Sequence, residues 1–126
     1  MRYQRSNTSV FNIGYHLIWC PKYRRKVLVN EIEKRLKDLL KNKAKQNNIS
    51  IEKMEIMSDH VHLFVKASPH KIVQQFKGYT SRILRQEFKI LRSRLPTLWT
   101  RSYYCESVGH ISETTLQKYI EEQKNK

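Results

Sequence analysis

Two short stretches of this chain hold side chains whose types and spacing can do chemistry. Residues 58–65 read SDHVHLFV, with His60 and His62 separated by one valine. In a strand alternate side chains share a face, so the two imidazoles stand about 6–7 Å apart along it, a span one small ion can bridge. The same pattern suits two surface histidines on a half-exposed sheet, and spacing does not choose between them. The second stretch is SETTLQKYIEEQ at residues 112–123. There Tyr119 and Gln123 are four residues apart and stack on one side of a helix, with Leu116 and Ile120 as an apolar stripe beside them. A phenol can act as a nucleophile and an amide oxygen can serve a metal. A ring packed on the body and a solvated glutamine would look the same.

Composition removes several other chemistries. Only two aspartates are present, Asp38 and Asp59, and Asp38 falls inside an ordinary amphipathic pattern, which argues against a two-metal carboxylate nuclease. Three glycines, Gly14, Gly78 and Gly109, form no phosphate-cradling loop, so nucleotide chemistry is not expected. Cys20 and Cys105 make no metal-binding pair and read as small buried residues of a reduced, cytoplasmic protein. No apolar run approaches the roughly 20 residues needed to cross a bilayer, and the N-terminus lacks the apolar stretch of a secretion signal. Twenty-five Lys and Arg against eleven Asp and Glu leave a net charge of +14. So strong a positive field on so small a protein selects polyanions, nucleic acid foremost.

The elements that must position these residues are legible as periodicities. FNIGYHLIWC (11–20) alternates with Phe11, Ile13, Tyr15, Leu17 and Trp19 on one face, a strand. A basic turn, PKYRRKVL, follows. From Asn30, read as an N-cap, to about Gln46 the apolar residues Ile32, Leu36, Leu39 and Leu40 keep helical spacing. ISIEKMEIM (49–57) is a second strand, Ser58 and Asp59 a turn, and VHLFVKA (61–67) a third, with Val61, Leu63, Val65 and Ala67 toward the core. Ser68-Pro69 opens a helix whose apolar face carries Ile72, Val73, Phe76, Tyr79, Ile83 and Leu84, with Lys71, Arg82, Arg85, Lys89 and Arg92 opposite. Glu87 falls in the apolar sector, which predicts a bend or break there. LWTRSYYCESVG (98–109) reads as a fourth strand, and Ser112 caps a last helix. The order predicts an α+β, ferredoxin-like split βαβ fold, an antiparallel sheet with helices on one face, plus a C-terminal helix. The whole chain, 1–126, is one domain. Its core spans about 10–108 and the C-terminal helix about 112–125.

DHVHLF in the third strand, SYYCESVG followed by SETTLQKYIEEQ at the C-terminus, and YHLIWCPKYRRKVL near the start together resemble the single-tyrosine HUH transposases. These are the small transposases of the simplest bacterial and archaeal insertion sequences. The resemblance implies that His60 and His62 ligate one Mg²⁺ or Mn²⁺ ion, that Gln123 completes the metal site and that Tyr119 is the nucleophile. Asp59 would support the histidines. It further implies cleavage and rejoining of single-stranded DNA through a 5′-phosphotyrosine linkage. The DNA would carry hairpins near the element ends, and the bond energy kept in the linkage removes any need for a nucleotide. A homodimer is implied, with each C-terminal helix completing the partner's site. Arg24 and Arg25 of the basic turn and Lys71, Arg82, Arg85 and Lys89 of the long helix would hold backbone phosphates. Tyr103 and Tyr104 are candidates for base stacking, though one of them belongs to the core. The alternatives are an RNA- or single-strand-binding module without chemistry, which shares the element order, and a domesticated relative that cleaves chromosomal hairpins.

Overall fold

The computed structural model describes residues 14–66, 69–107 and 113–125, with side-chain surroundings given for 14–66, 72–107 and 118–124. Expectations for Phe11, Ile13, Ala67, Ser68, Val108, Gly109 and Ser112 lie outside the described residues. The order is β1 (Gly14–Trp19), α1 (Asn30–Gln46), β2 (Ser50–Met57), β3 (His60–Lys66), α2 (Pro69–Glu87), α3 (Lys89–Arg94), β4 (Tyr104–Ser107) and α4 (Glu113–Glu122). Short 3₁₀ turns occupy Lys22–Arg24 and Gln123–Asn125. The strands form one sheet in the order β2-β3-β1-β4. Every neighbouring pair is antiparallel. This is the ferredoxin-like α+β arrangement expected from the element order, with a C-terminal helix added.

Strand alternation divides the sheet into two faces. Val61, Leu63 and Val65 of β3 are 0% exposed, as are Leu17 and Trp19 of β1. They pack in one cluster with Leu36, Leu39 and Leu40 of α1 and Val73, Phe76 and Leu84 of α2. Burying a side chain of this size contributes about 1.5–3 kcal/mol, so this layer holds the domain together. His60, His62 and Phe64 point the other way and are half-buried. Among the described residues no helix is long and apolar enough to cross a membrane.

Three local readings are corrected. Asn30 does not cap α1: Val29 takes the N-cap position with no side-chain bond, and Asn30 itself has φ 52. Asparagine tolerates that left-handed backbone, and the Val29 carbonyl accepts the amides of Ile32 and Glu33 at 3.1 and 3.3 Å. The fourth strand does not run unbroken from 98: Trp99 forms an isolated antiparallel bridge with Pro21, beyond the end of β1, and the continuous ladder starts only at Tyr104. Leu98 O accepts from Lys22 N at 2.8 Å, and Thr100 N donates to Cys20 O at 3.0 Å. The last helix tightens after Glu122, which leaves Gln123 in a 3₁₀ turn. The break at Glu87 is present: Phe88 is extended, at φ −121 and ψ 100, and α3 restarts at Lys89. Glu87 avoids the core by taking a two-point ion pair with Arg35 of α1 at 2.8 and 2.9 Å. Arg92 donates to the carbonyls of Arg85 and Gln86, satisfying groups the ended helix leaves open.

Candidate active site on the histidine face of the sheet

The histidine pair stands on one of the two interior strands of the sheet. β3 is flanked by β2 and β1, so its backbone is paired on both edges and the imidazoles rest on a stiff base. Asp59, in the turn before the strand, accepts a 2.9 Å hydrogen bond from His60 Nδ1. That bond sets the tautomer and leaves Nε2 with the lone pair. His62 Nδ1 lies 3.4 Å from Glu55 Oε1 on β2. Its Nε2 lies 2.9 Å from Nδ1 of His16 on β1. Burial, followed by the nearby His16, pushes the His62 pKa below the usual imidazole range. Neutral imidazoles with oriented lone pairs are the form in which histidine binds metal, so the donor chemistry fits a divalent ion. Among the described residues no group of three or more His, Cys, Asp and Glu is arranged to hold one. An ion here therefore needs amide, water or phosphate oxygens as well.

The tyrosine reaches the same face from the other side. In register, His62 opposes Ile18, and Ile18 opposes Tyr104, so one row crosses β3, β1 and β4. Directly opposed residues share a face, and the Tyr104 ring meets the Tyr119 ring at 5.6 Å between centroids. With strands about 4.8 Å apart, Tyr104 sits roughly 10 Å along the row from His62. Ile18, between them, is 1% exposed although it belongs to the histidine face. Tyr119 Oη lies 3.4 Å from Ser102 Oγ. Burial outweighs that contact and pushes the phenol up to about 12, so it is protonated at neutral pH.

Gln123 is buried and bonded to Ser102 and to its own helix. Its Oε1 accepts from Ser102 Oγ at 3.0 Å, and its Nε2 donates to the Tyr119 carbonyl at 3.3 Å. The structure thus brings together His60, His62, Asp59 and His16 as one group, and Tyr119, Gln123 and Ser102 as another. Arg24 ties them: its Nε is 3.3 Å from Asp59, and one Nη is 3.1 Å from Glu121 and 3.5 Å from the Ile120 carbonyl.

Three of these residues carried no flag in the sequence. His16 sits at the odd position of an otherwise apolar strand, a signal of its face but not of its partner 46 residues away. Ser102 opens the SYYCESVG stretch, but nothing in that stretch marks it as a partner of Gln123. Lys77 falls on the buried side of α2 and is 9% exposed. Its three ammonium protons find three acceptors, the carbonyls of Thr100, Arg101 and Ser102 at 2.7, 3.2 and 3.1 Å. Burial lowers its pKa to about 8. Lys77 thereby holds the very segment from which Ser102 reaches Gln123.

The candidate phosphate-binding cations divide by what they touch. Arg25 and Arg82 lie 5.9 Å from the rings of Tyr23 and Tyr79 respectively. Arg82 and Lys89 are exposed on the helical surface. Arg85 donates to the Leu95 carbonyl at 3.1 Å, and Arg24 is engaged as described. Lys71 lies in the first turns of α2, its side chain outside the described residues. Of the adjacent tyrosines, Tyr103 packs against the core and Tyr104 belongs to the histidine face.

Comparison with known proteins adds sequence and structural likeness over nearly the whole chain. Residues 9–123 match the sequence model of a family described as "Transposase IS200 like". The ISDra2 transposase TnpA of Deinococcus radiodurans is 40% identical over 123 residues, which is 93% of this chain and 88% of that protein. The transposase for insertion sequence element IS200 of Salmonella typhimurium is 29% identical over 119 residues, 90% of this chain and 78% of that one. A crystal structure of a Deinococcus radiodurans R1 protein assigned as a transposase superposes with a TM-score of 0.83 at 35% identity, covering 98% of both chains. A tyrosine transposase solved with a REP hairpin shares the fold, with a TM-score of 0.56 at 10% identity over 95% of this chain and 68% of that one.

Proposed function

The chain belongs to the IS200-like transposase family, so it is a DNA-processing enzyme of transposition, and on that premise we propose that it cuts and rejoins single-stranded DNA through Tyr119. The observation that carries this reading is the row His62–Ile18–Tyr104, with the Tyr119 ring packed at its far end. A nucleophile and a pair of oriented imidazoles share one face of one sheet.

Tyr119 Oη attacks phosphorus in line with the 3′ oxygen of the preceding nucleotide. An O–P bond forms as the phenol releases its proton to solvent, the P–O3′ bond breaks, and the 3′ oxygen takes up a proton from solvent and leaves as a hydroxyl. The 5′ side stays on the protein as a phosphotyrosine. A second 3′-hydroxyl reverses the step on a new partner and returns the phenol, so no nucleotide is consumed. His60, His62 and Gln123 would hold one Mg²⁺ or Mn²⁺ ion, which when bound polarises the scissile phosphate. Gln123 would join that set by giving up the bond its Oε1 now accepts from Ser102. Asp59 keeps His60 in the required tautomer, and Arg24 aligns Asp59 with the tyrosine helix.

The DNA we infer is single-stranded and hairpin-bearing at the element ends, held by the exposed cations Arg25, Arg82 and Lys89 and by Lys71. The active unit we infer is a homodimer exchanging α4.

Labelled single-stranded DNA carrying a hairpin, incubated with the full chain and Mn²⁺, should yield an adduct that survives boiling in detergent. Tyr119→Phe should yield none. An equal adduct with the phenylalanine variant, or none with the wild type on any hairpin substrate, overturns the reading. Mixing Tyr119→Phe with His62→Ala tests the dimer: restored cleavage supports exchange of α4, and no restoration places each tyrosine in its own chain's site.

A further inference from the structure

The basic turn between β1 and α1 holds two consecutive residues in the left-handed region, Tyr23 at φ 58 and Arg24 at φ 50. Side chains other than glycine are strained there, and such backbone persists only where its surroundings fix it. Here Lys22 N donates to Leu98 O and Arg24 N to Pro21 O, both at 2.8 Å. The turn sends the two side chains opposite ways. Arg24 drops inward, 14% exposed, onto Asp59 and Glu121. Tyr23 stands out at 42% exposure, with Lys22 Nζ 5.2 Å and Arg25 Cζ 5.9 Å from its ring centroid.

Each of those two cations also lines an open cavity. Lys22 shares one of about 220 Å³ with Thr100, Arg101 and Ser102. Arg25 shares one of about 420 Å³ with Lys26, Val27, Arg94 and Leu95. The Tyr23 ring therefore adjoins two basic hollows. Among the described residues Lys22, Arg25, Lys26, Arg94 and Arg101 have no carboxylate partner, so their charge is free for a polyanion. The first hollow leads to the nucleophile, because Ser102 Oγ lies 3.4 Å from Tyr119 Oη.

An exposed ring among unpaired cations suits a single strand, with a base stacked on the ring and phosphates on the cations. A duplex keeps its base faces covered, so such a ring selects unpaired bases. We propose that Tyr23 stacks one unpaired base of the DNA beside the cleavage site. Lys22 and Arg101 hold the phosphate on the Ser102 side, and Arg25 and Arg94 hold the phosphate on the other. The base takes one face of the ring, and the cation that leaves that face takes a phosphate. Stacking is tolerant of sequence, so Tyr23 fixes where the strand lies rather than which base is read. This rests on the reading above for where the strand leads, which is Tyr119.

The test uses the full chain and a hairpin-bearing single strand in EDTA, which keeps the strand uncut. Tyr23→Asn removes the ring yet suits left-handed backbone, and Tyr23→Phe keeps the ring. We expect affinity to fall about tenfold in Tyr23→Asn and to stay within about twofold of wild type in Tyr23→Phe. Lys22→Gln and Arg101→Gln should each reduce the slope of log affinity against log salt by about 0.7, whereas Tyr23→Asn leaves it unchanged. Strands carrying 5-iodouracil at successive positions around the cleavage site should photocrosslink to Tyr23 of the wild type, located by mass spectrometry. Wild-type affinity in Tyr23→Asn, an equal loss in Tyr23→Phe, unchanged slopes in both charge variants, or no crosslink to Tyr23 from any position overturns the proposal. The crosslink decides alone if the variants do not fold. Adduct formation with Mn²⁺ separates this proposal from the chemistry at Tyr119. A wild type that crosslinks at Tyr23 but forms no adduct sinks the chemistry and keeps the stacking site, while an adduct without the crosslink sinks only the stacking site.

Discussion

The two faces of the sheet are made from the same strands yet are built on opposite terms. On the helix side β3 contributes Val61, Leu63 and Val65, all without exposure, to a cluster that includes α1 and α2. On the other side the same strand contributes His60, His62 and Phe64, half-buried and joined to their surroundings by directional polar contacts and ring stacking. The first face tolerates exchange of one apolar shape for another and punishes lost volume. On the second, the proposed chemistry depends on where single nitrogen and oxygen atoms point. A rigid apolar floor under a polar working surface lets neighbouring residues serve stability and chemistry separately.

Adjacent substitutions in β3 give the sharpest break between the faces. His62→Ala is expected to lower strand cleavage by on the order of a hundredfold or more, with a melting midpoint close to wild type. Its neighbour Leu63→Ala is expected to cost about 3 kcal/mol of stability, measured by denaturant unfolding, with cleavage retained below the new midpoint. Equal stability losses would mean that the histidine face is structural.

Lys77 sits where the comparison blurs, since it is buried with the apolar residues and serves the segment carrying Ser102. Lys77→Met leaves three carbonyls without their donor and should cost about 2 kcal/mol at neutral pH. Its folded pKa of about 8 lies below the ordinary 10.5. Between those values the unfolded chain binds more protons, so this group's contribution to stability rises with pH across that window and is lost as pH falls through 8. The stability difference between wild type and Lys77→Met, followed by unfolding at several pH values, should therefore widen from pH 8 to 10.5. A flat difference would show that the ammonium is fully compensated by its carbonyls.

The smallest effect belongs to the exposed pair Arg35–Glu87, which lies outside both faces. Despite its two-point geometry, solvent screens it. Glu87→Gln should shift the melting midpoint slightly at low salt and not measurably at high salt.

Much of this arrangement was readable from residue types alone. Alternation in VHLFVKA separated the histidine face from the core face, and Glu87 in an apolar sector marked the break between α2 and α3, because these are local consequences of strand and helix periods. Asn30 misled for a local reason as well: asparagine favours both helix caps and left-handed backbone, and here it took the second. The short β4 was hidden because competition for its preceding carbonyls comes from Lys77, on another element.

By itself, the sequence determined the fold class, the face on which each histidine stands, the charge that selects a polyanion and the four-residue step from Tyr119 to Gln123. Those follow from periodicity and composition, which act over a few residues or over the whole chain. Tertiary structure decided that His16 meets His62, that Ser102 holds Gln123 and that Arg24 spans from Asp59 to Glu121. Such pairings depend on strand register and on contacts as far as 97 residues apart. No local pattern encodes them, because they are fixed by how the packed layers close on one another.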